Sequence, residues 1–497
     1  MTISIETEKR RGIQPRLSRG LRDLMPEEML ARQWMVGTVR RVYELYGFVP
    51  VSTPAIEYLD VLGGSAGQEA QQSIFTVSNP EGEELGLRFD LTVPLSRLIA
   101  QYPELPRPFR RYQVASVWRA DKPGAGRYRE FTQFDLDSVG VPSEVADTEI
   151  IAGMCDTLSA LGVGAYRVRF SSRALLNLLL AFAGVPAERG PDVFRVLDKQ
   201  ERAGREKVRL ELTTGYVDES GDRILGLGLG ADQVEKIDRF LAIRPQSRAE
   251  VLAAVRELFS GLPEAASEID AVERICRHLA ALGYGDDRVA LDLSIARGLA
   301  YYTGPVFEAV LLDAPQFGSV FGGGRYDDLV LRFLGERVPA TGASMGVDRL
   351  LAALVHLRRV PTHKATSKVL VTAMDPALTD DYLALTWELR RAGIPAELYL
   401  GEARVGKQLK YADQLGIPLC LLYGSNEKAA GKVTLKDMEV GRRKAAALAD
   451  RQEWLEARPG QREVPRGELV PAVREMLAAI EGDGATGGAV ADPEARR

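Results

Sequence analysis

Two neighbouring segments, Ala296–Glu308 and Phe321–Leu329, contain side chains suited to binding a small polar ligand. Arg297 carries a permanent positive charge, and Tyr302 and Tyr326 can each donate or accept a hydrogen bond. Three consecutive glycines in the second segment would let a ligand approach the main chain without a side chain in the way. We therefore expect a ligand pocket, although these glycines taken alone could form only the turn of a β-hairpin.

The sequences Arg-Gly-Leu-x-Tyr-Tyr-Thr-Gly and Gly-Gly-Gly-Arg-Tyr-Asp in these segments resemble the two histidine-binding signatures of histidyl-tRNA synthetases. Residues 47–57, 117–137 and 342–350 resemble, in order, motifs 1, 2 and 3 of class II aminoacyl-tRNA synthetases. One such motif alone is weak support for the resemblance. All of the motifs in the expected order over residues 15–475 are strong support for it. The resemblance implies an enzyme that uses ATP to ligate L-histidine to tRNA(His) through a histidyl-adenylate intermediate.

The implied reaction joins a carboxylate to the α-phosphorus of ATP, which requires positioning and charge neutralisation. Guanidinium groups suit this task, because they match phosphate oxygens with a bidentate fork and stay charged. By position in the motifs, the resemblance implies two catalytic residues: Arg119 on the α-phosphate, and Arg297 between the histidine carboxylate and the α-phosphate. Arg127 would hold the distal phosphates, and Arg349 would stack on adenine opposite Phe131. The full ATP-binding set implied is Arg119, Asp121, Arg127, Phe131 and Arg349.

Selecting histidine requires a second set of residues, because a neutral imidazole offers one donor and one acceptor nitrogen. The resemblance implies that Asp137 faces one ring nitrogen and Tyr302 the other, while Arg297 holds the carboxylate. The α-amino end and the pocket wall would be formed by Asp90, Thr92, Gln133 and Tyr326. Each residue alone has an ordinary alternative, such as a salt bridge at a strand end or a tyrosine in the core.

The chain departs from the family pattern at two places. Ala300 stands where most relatives have an aspartate, which removes a carboxylate beside the pocket. The motif 2 loop reads Pro123-Gly-Ala-Gly126, where many bacterial relatives carry a glutamine and a lysine that help to read the extra 5′ guanylate of histidine tRNA. Because glycine and alanine have no side chain that could hydrogen-bond a base edge, we expect only weak dependence on that nucleotide.

Composition limits the classes of function. At 497 residues and 45% hydrophobic content, the chain is long enough for two or three domains. The net charge of −5 means that any RNA contact must use local basic surface. Three widely separated cysteines and three histidines argue against disulfides and against a zinc site, so ATP and Mg²⁺ are the expected small-molecule requirements, with magnesium ligands that the sequence does not place. With no apolar signal segment and no run of about 18 apolar residues, we expect a cytoplasmic protein without a membrane span.

Periodicity then suggests which elements position these residues. A helix is predicted from Pro26 until Gly47, followed by turn-rich, strand-like sequence to about residue 140. Helical periods dominate about 171–283, strand signals resume at Val289, and an apolar helix closes the region. The predicted domains are a flexible N-terminus (1–19), a class II catalytic domain (20–355), a linker (356–367), an anticodon-binding domain (368–480) and a disordered tail (481–497).

Beyond the linker, alternating strands and helices predict a mixed sheet covered by helices. Residues 406–412 and 432–437 resemble the anticodon-binding domain of the histidine, proline, threonine and glycine class II enzymes. Arg404, Lys407 and Lys410 would contact tRNA, although a solvated helix face would explain the same charges. The predicted fold class is therefore α/β (α+β), with an antiparallel-sheet catalytic core, a helical insertion and a C-terminal α/β anticodon-binding domain.

Pro54 in motif 1 lies at the dimer interface in the family, so the resemblance also implies a homodimer. Two alternatives stay open. The synthetase-like regulatory subunit of ATP phosphoribosyltransferase binds histidine without charging tRNA, but it lacks an anticodon domain, and residues 368–475 count against it. Another class II synthetase, for proline or threonine, is disfavoured by the signatures around Arg297 and Tyr326.

Overall fold

The structure is a computed structural model of the chain. It describes residues 13–63, 73–124, 127–219, 221–243, 247–296, 302–361, 364–440 and 460–485. Contacts between Cα atoms divide the described residues into two compact units, one drawn from 1–23 and 35–360 and the other from 24–34 and 361–497. Each unit is described by itself.

An eight-stranded sheet forms the frame of the first unit, in the order β1-β5-β6-β13-β12-β11-β7-β10. The central strands pair antiparallel, and only the edge pairs β1–β5 and β7–β10 are parallel. These strands are β1 Val49–Pro50, β5 Phe109–Trp118, β6 Glu130–Val139, β7 Tyr166–Ser172, β10 Val289–Leu291, β11 Pro305–Leu311, β12 Ser319–Arg325 and β13 Ala340–Gly346. The predicted antiparallel core is confirmed.

Strand β6 shows how the sequence produces this sheet. Successive side chains of a strand point to opposite faces, and Phe134 and Leu136 are completely buried on one of them. Tyr43, from helix Pro26–Leu45, packs edge-on against Phe134 with ring centroids 5.0 Å apart. That helix ends as predicted, because Gly47 has a φ of +76° and terminates it.

Short elements complete the first unit. A three-stranded sheet has the order β2-β4-β3, formed by β2 Ile56–Tyr58, β3 Thr76–Val77 and β4 Leu85–Leu87. A two-stranded hairpin consists of β8 Gly215–Val217 and β9 Arg223–Leu225. The α-helices are Pro26–Leu45, of which residues 35–45 belong to this unit, and Leu59–Gly63, Thr92–Gln101, Glu144–Ala160, Arg173–Ala183, Gly190–Leu197, Gln200–Ala203, Arg205–Leu212, Ala231–Leu241, Arg248–Leu258, Ala265–Ala281, Leu331–Leu334 and Val347–His356.

The helical segment predicted for 171–283 is helical apart from the β8–β9 hairpin and the end of β7, which runs to Ser172. Helix Glu144–Ala160 was not predicted, because most of its faces are buried and it lacks the one-sided apolar stripe of a surface helix. Its start is fixed by Ser143, whose side chain accepts a hydrogen bond from the Val145 amide.

The second unit contains a five-stranded mixed sheet in the order β15-β14-β16-β17-β18. The strands are β14 Val369–Val371, β15 Ala396–Leu398, β16 Leu419–Leu422, β17 Lys432–Asp437 and β18 Gln461–Pro465, and the helices are Thr379–Arg391, Val405–Leu415, Ser425–Ala429 and Leu469–Ala485. Strands β14, β15 and β16 are parallel, and β17 and β18 are antiparallel, as a mixed sheet requires. The last helix reaches Ala485, whereas the disordered tail was predicted to begin at residue 481.

All three cysteines of the chain, Cys155, Cys276 and Cys420, are buried and unpaired. Burial raises the pKa of each thiol to about 12. Among the described residues, no helix combines the length and the apolar character needed to span a bilayer.

Candidate active site

A cavity of about 870 Å³ lies against the eight-stranded sheet of the first unit. Among the residues that line it are Asp90, Thr92, Arg119, Asp121, Arg127, Phe131, Gln133, Asp137, Tyr302, Tyr326 and Arg349. The structure thus brings together eleven of the twelve residues predicted to bind histidine or ATP. The twelfth, Arg297, lies outside the described residues, as do Ala300, Ala125 and Gly126.

Glycines in β12 and β13 leave room for the polar side chains. Gly342 is paired with Asp137 across β13 and β6, and a Cβ at Gly342 would overlap Asp137 Oδ1. A Cβ at Gly324 would lie 2.8 Å from Cδ1 of Tyr302. The triple glycine is therefore part of strand β12 and not a turn, and of its three residues only Gly322 has open space where a side chain would be.

Asp137 is held from two sides. Its Oδ2 lies 2.9 Å from Nη2 of Arg111, whose side chain is completely buried. The phenol of Tyr326 donates a short hydrogen bond to Oδ1. Burial raises the pKa of Asp137, while Arg111 and Tyr326 oppose that rise. The carboxylate is thereby fixed in the cavity wall, in an orientation that a ring nitrogen could recognise.

Asp135 is a second carboxylate on the same face of β6. Burial raises the pKa of Asp135 to about 7, and the neighbouring Asp137 and Asp90 add to the rise against the opposing charge of Arg111. Ser344 is its partner residue on β13, and Ser344 Oγ accepts a hydrogen bond of 2.8 Å from Gln133 Nε2. Asp135 also lines the cavity, although it was not among the predicted site residues.

Asp90 and Thr92 lie at the start of helix Thr92–Gln101. Oδ1 of Asp90 accepts a hydrogen bond of 3.1 Å from the Val93 amide, which satisfies one of the free N–H groups of the first helical turn. Burial raises the pKa of Asp90, and the bond from Val93 and the charges of Arg119 and Arg111 act against it. The helix terminus therefore orients this carboxylate toward the cavity that it lines.

Two arginines lie at the part of the cavity predicted to bind ATP. Nε of Arg119 donates to the Phe89 carbonyl at 3.0 Å, and its guanidinium carbon lies 5.2 Å from the centroid of the Phe131 ring. Nη1 of Arg349 donates to the Ser319 carbonyl at 2.8 Å. Both guanidinium groups are thus oriented by main-chain oxygens while lining the same cavity.

The motif 2 loop carries a third arginine. The side chain of Arg127 is 63% exposed, and its Nη2 lies 2.5 Å from Oδ2 of Asp121. Oδ1 of the same carboxylate accepts a hydrogen bond from Ser73 Oγ. Burial alone would raise the pKa of Asp121, but the bonds from Arg127 and Ser73 outweigh it and lower the pKa. Gly124 and Arg127 exchange main-chain hydrogen bonds of 3.0 and 3.1 Å, which close the loop at its base.

Asp348 of motif 3 connects three parts of the chain. Its Oδ2 accepts a hydrogen bond of 2.7 Å from the Thr132 amide, and its Oδ1 lies 2.8 Å from Nη2 of Arg22. The guanidinium of Arg22 also lies 4.2 Å from the centroid of the Tyr128 ring. The segment before the first helix thereby contacts motif 2, which the sequence analysis did not predict.

Sequence reasoning missed several residues that hold the site together, notably Arg111, Asp135, Asp348 and the pair Arg325–Asp147, whose atoms lie 2.6 Å apart. A signal existed for Asp135, because Gln133-x-Asp135-x-Asp137 alternates polar with apolar residues along a strand. For Arg111, Asp348 and Asp147 the partners are far away in sequence, and only the fold brings them together.

The three predicted tRNA-binding residues belong to the second unit. Arg404, Lys407 and Lys410 are exposed at the start and on one face of helix Val405–Leu415. Within the described part of the chain, none of them forms an ion pair. Gln408 of the same helix is buried and hydrogen-bonds the main chain of Ala373, which attaches the helix to the sheet.

An antiparallel sheet with a polar cavity on one face, together with a separate mixed α/β unit, is the architecture of a class II aminoacyl-tRNA synthetase with an anticodon-binding domain. The family model described as histidyl-tRNA synthetase matches residues 20–350. The model described as anticodon binding domain matches residues 368–458. The chain therefore belongs to the histidyl-tRNA synthetase family.

Similar proteins agree with this assignment. Histidine–tRNA ligase of Cereibacter sphaeroides is 45% identical over 482 residues, which cover 92% of this chain and 97% of that protein. Histidine–tRNA ligase of Rhizobium leguminosarum is 41% identical over 492 residues, which cover 95% of this chain and 97% of that protein. The crystal structure of histidyl-tRNA synthetase from Nostoc sp. PCC 7120 has a TM-score of 0.78 at 31% identity, and covers 93% of this chain and 100% of that chain.

A structure described as an ATP phosphoribosyltransferase regulatory subunit/histidyl-tRNA synthetase from Bacillus halodurans C has a TM-score of 0.64 at 24% identity. It covers 79% of this chain and 95% of that chain. At this identity the similarity concerns the fold alone.

Proposed function

We propose that the chain is a histidine–tRNA ligase, which activates L-histidine with ATP to histidyl-adenylate and transfers the histidyl group to tRNA(His). One observation carries the proposal: a single cavity is lined by carboxylates and phenols suited to an imidazole and by arginines suited to a triphosphate. The family membership and the anticodon-binding domain support it.

In the proposed site, Asp137 and Tyr302 bind the two imidazole nitrogens, and Tyr326 orients Asp137 through its hydrogen bond. Arg119 neutralises charge at the α-phosphate, Arg127 binds the distal phosphates, and the adenine lies between Arg349 and Phe131. Arg297 would bridge the carboxylate and the α-phosphate; this role rests on the sequence resemblance.

These residues need little rearrangement to act as proposed, because main-chain oxygens already orient the Arg119 and Arg349 side chains. Charged groups that are held in place before the reaction stabilise developing charge without a reorganisation cost. The Asp121 carboxylate, which pairs with Arg127, would release that arginine when phosphates bind.

Magnesium enters this proposal with ATP. Among the described residues, no group of three His, Cys, Asp or Glu side chains could hold a metal ion. Mg²⁺ is commonly bound by one or two carboxylates together with phosphate oxygens and water. We propose that Mg²⁺ would bind together with the phosphates of ATP and would neutralise the charge of the pyrophosphate.

We also propose a homodimer that uses the motif 1 region. This region exposes four large apolar side chains, Leu45, Val49, Ile56 and Tyr58, and exposed apolar groups of this kind are typical of interaction surfaces. Sedimentation analysis tests the assembly, and a monomer at micromolar concentration would contradict it.

A cytoplasmic location would agree with the three unpaired cysteines.

The decisive experiment is amino-acid-dependent ATP–pyrophosphate exchange with each standard amino acid. We expect exchange with histidine alone, followed by charging of tRNA(His). Exchange driven by proline or threonine would assign another class II specificity. Histidine binding without exchange would point to a regulatory protein, and either result would overturn the proposal.

A further inference from the structure

Asp135 lies on the floor of the cavity between Gln133 and Asp137. The three side chains point to the same face of β6, because the side chains of a strand alternate. All three line the cavity. Asp135 is only 1% exposed, so its carboxylate faces the cavity and the groups around it and not bulk water.

Two acceptor atoms on this floor have neither a hydrogen-bond partner nor an ion pair among the described residues. Within the described part of the chain, the buried atoms Oδ1 of Asp135 and Oε1 of Gln133 have no hydrogen-bond partner. The amide nitrogen of Gln133 is already used, because it donates to Ser344. Buried polar atoms are costly unless they are hydrogen-bonded, so two unpaired acceptors in one cavity indicate a donor that arrives with the ligand.

The charges around Asp135 indicate that this donor is a cation. The charged and titratable groups that interact with it are Arg88, Arg111, Asp90, Asp137, Tyr43 and Tyr326. Arg111 already pairs with Asp137, and Arg88 donates to the main-chain oxygens of Thr53, Pro54 and Ser116. Asp90 also faces Arg119, but within the described part of the chain neither Asp90 nor Asp135 forms an ion pair.

We infer that Asp135 binds the α-ammonium group of histidine, together with Asp90 and Gln133. This inference rests on the proposed function. An ammonium group has three N–H donors, and Asp90, Gln133 and Asp135 offer three acceptors. The imidazole of histidine is a less suitable partner for Asp135, because Asp137 would already bind the ring. Tyr326 and Arg111 hold the Asp137 carboxylate in place.

Binding measurements with three ligands test this assignment without ATP. L-histidine and L-histidinol carry the amine, whereas 3-(imidazol-4-yl)propionate lacks it. For Asp135→Asn we expect the affinities for histidine and for histidinol to fall about 10-fold or more, since a charge-assisted hydrogen bond is lost. Binding of the propionate should change less than about twofold. Equal losses for all three ligands, or no loss for any, would overturn the inference.

A control variant separates binding from stability. Asp156→Asn changes a carboxylate outside the cavity, which accepts hydrogen bonds from Tyr46 and Tyr284, and it should leave all three affinities unchanged. If Asp135→Asn does not fold, Asp135→Ala replaces it, because a shorter side chain at an open cavity creates no clash. Ligand-selective loss in that variant supports the inference, and unselective loss contradicts it.

A pH profile gives an independent readout. Burial raises the pKa of Asp135 to about 7, so the wild-type affinity for histidine should increase between pH 6 and 8 more steeply than that of Asp135→Asn. The titration of the histidine imidazole is common to both proteins and cancels in the comparison. Identical profiles would contradict the assignment. If the wild-type protein itself fails to bind histidine, the proposed function fails and not this residue assignment alone.

Discussion

Asp137 owes its orientation to residues that are remote in sequence. Arg111 comes from β5 and Tyr326 from the residue after β12, yet both contact the same carboxylate. A buried ion pair is costly to break by removing one partner, because the other charge is left uncompensated. At the scale of residues, Arg111 compensates the charge of Asp137, whereas Asp135 forms no ion pair within the described part of the chain.

The excess charge at Asp135 should appear in the stability of the free protein. Its folded-state pKa is raised from 3.8 to about 7, mainly by burial. The contribution of this group to the free energy of unfolding is therefore largest below about pH 4, and it is lost as the pH rises through 7. Asp135→Asn cannot ionise, so its gain in Tm over wild type should be larger at pH 8 than at pH 5 by about 2 °C or more. Calorimetry at both pH values checks this, and an equal gain would contradict it.

Arg119 provides a test of charge positioning. Arg119→Lys keeps one positive charge but loses the bidentate fork and the contact with the Phe131 ring. We expect histidine-dependent pyrophosphate exchange to fall by about 10² or more. The matched control is Arg110→Lys, in strand β5, which ends one residue before Arg119; Arg110 is paired with Glu149 outside the cavity, and the rate of this variant should stay within about threefold of wild type. Similar losses in both variants would contradict a specific role for Arg119.

At the scale of elements, strand β6 serves two purposes. One face carries Phe134 and Leu136 into the core, and the other carries Gln133, Asp135 and Asp137 into the cavity. The close pairing with β13 depends on Gly342, which lies directly opposite Asp137. We therefore expect a change of packing between these two strands to affect the recognition of histidine as well as the core.

Gly342→Ala should show this dependence. The added Cβ would overlap Asp137 Oδ1 and lie 2.7 Å from the Leu136 carbonyl, so one of the strands must shift. We expect kcat/KM for histidine to decrease about 100-fold or more, and stability to decrease by about 1–3 kcal/mol. Gly322→Ala is the control for stability, because no atom lies within 4 Å of its added Cβ. Steady-state kinetics and thermal melting measure both, and a Gly342→Ala enzyme with normal histidine kinetics would show that the strands tolerate the change.

The sequence predicted elements where local signals were strong. The helix that begins at Pro26 was predicted to end at Gly47, and Gly47 follows it in a left-handed conformation. Helix Glu144–Ala160 was missed because burial on most sides removes the amphipathic pattern. The resemblance supplied the residues of the cavity but not Arg111 or Asp348, because partners such as Thr132 and Asp348 lie 216 residues apart.

At the scale of the whole molecule, the chemistry and the proposed anticodon contacts belong to separate compact units. The residues of the cavity lie before residue 350, whereas Arg404, Lys407 and Lys410 follow residue 400. We therefore expect activation of histidine and recognition of tRNA to depend on different parts of the chain, so that each can be changed without the other.

Replacing Arg404, Lys407 and Lys410 together by alanine should raise the KM for tRNA about 10-fold or more, because three exposed charges no longer meet phosphates. Histidine-dependent pyrophosphate exchange should not change. Deleting residues 368–497 should extend the same separation, with exchange largely retained and charging strongly reduced. The matched control is alanine at Lys428 and Lys432, which are paired with Asp381 and Glu463. If the triple variant charges tRNA normally, these three residues form only a solvated helix face.

The buried thiols described above have a practical consequence. With pKa values near 12, Cys155, Cys276 and Cys420 are almost entirely protonated at neutral pH, and the protonated thiol is a poor nucleophile. The native chain should resist maleimides and mild oxidants without any cysteine replacement. A single cysteine introduced on the exposed face of helix Val405–Leu415 would then be the one reactive thiol, which makes this protein ready for site-specific fluorescent labelling.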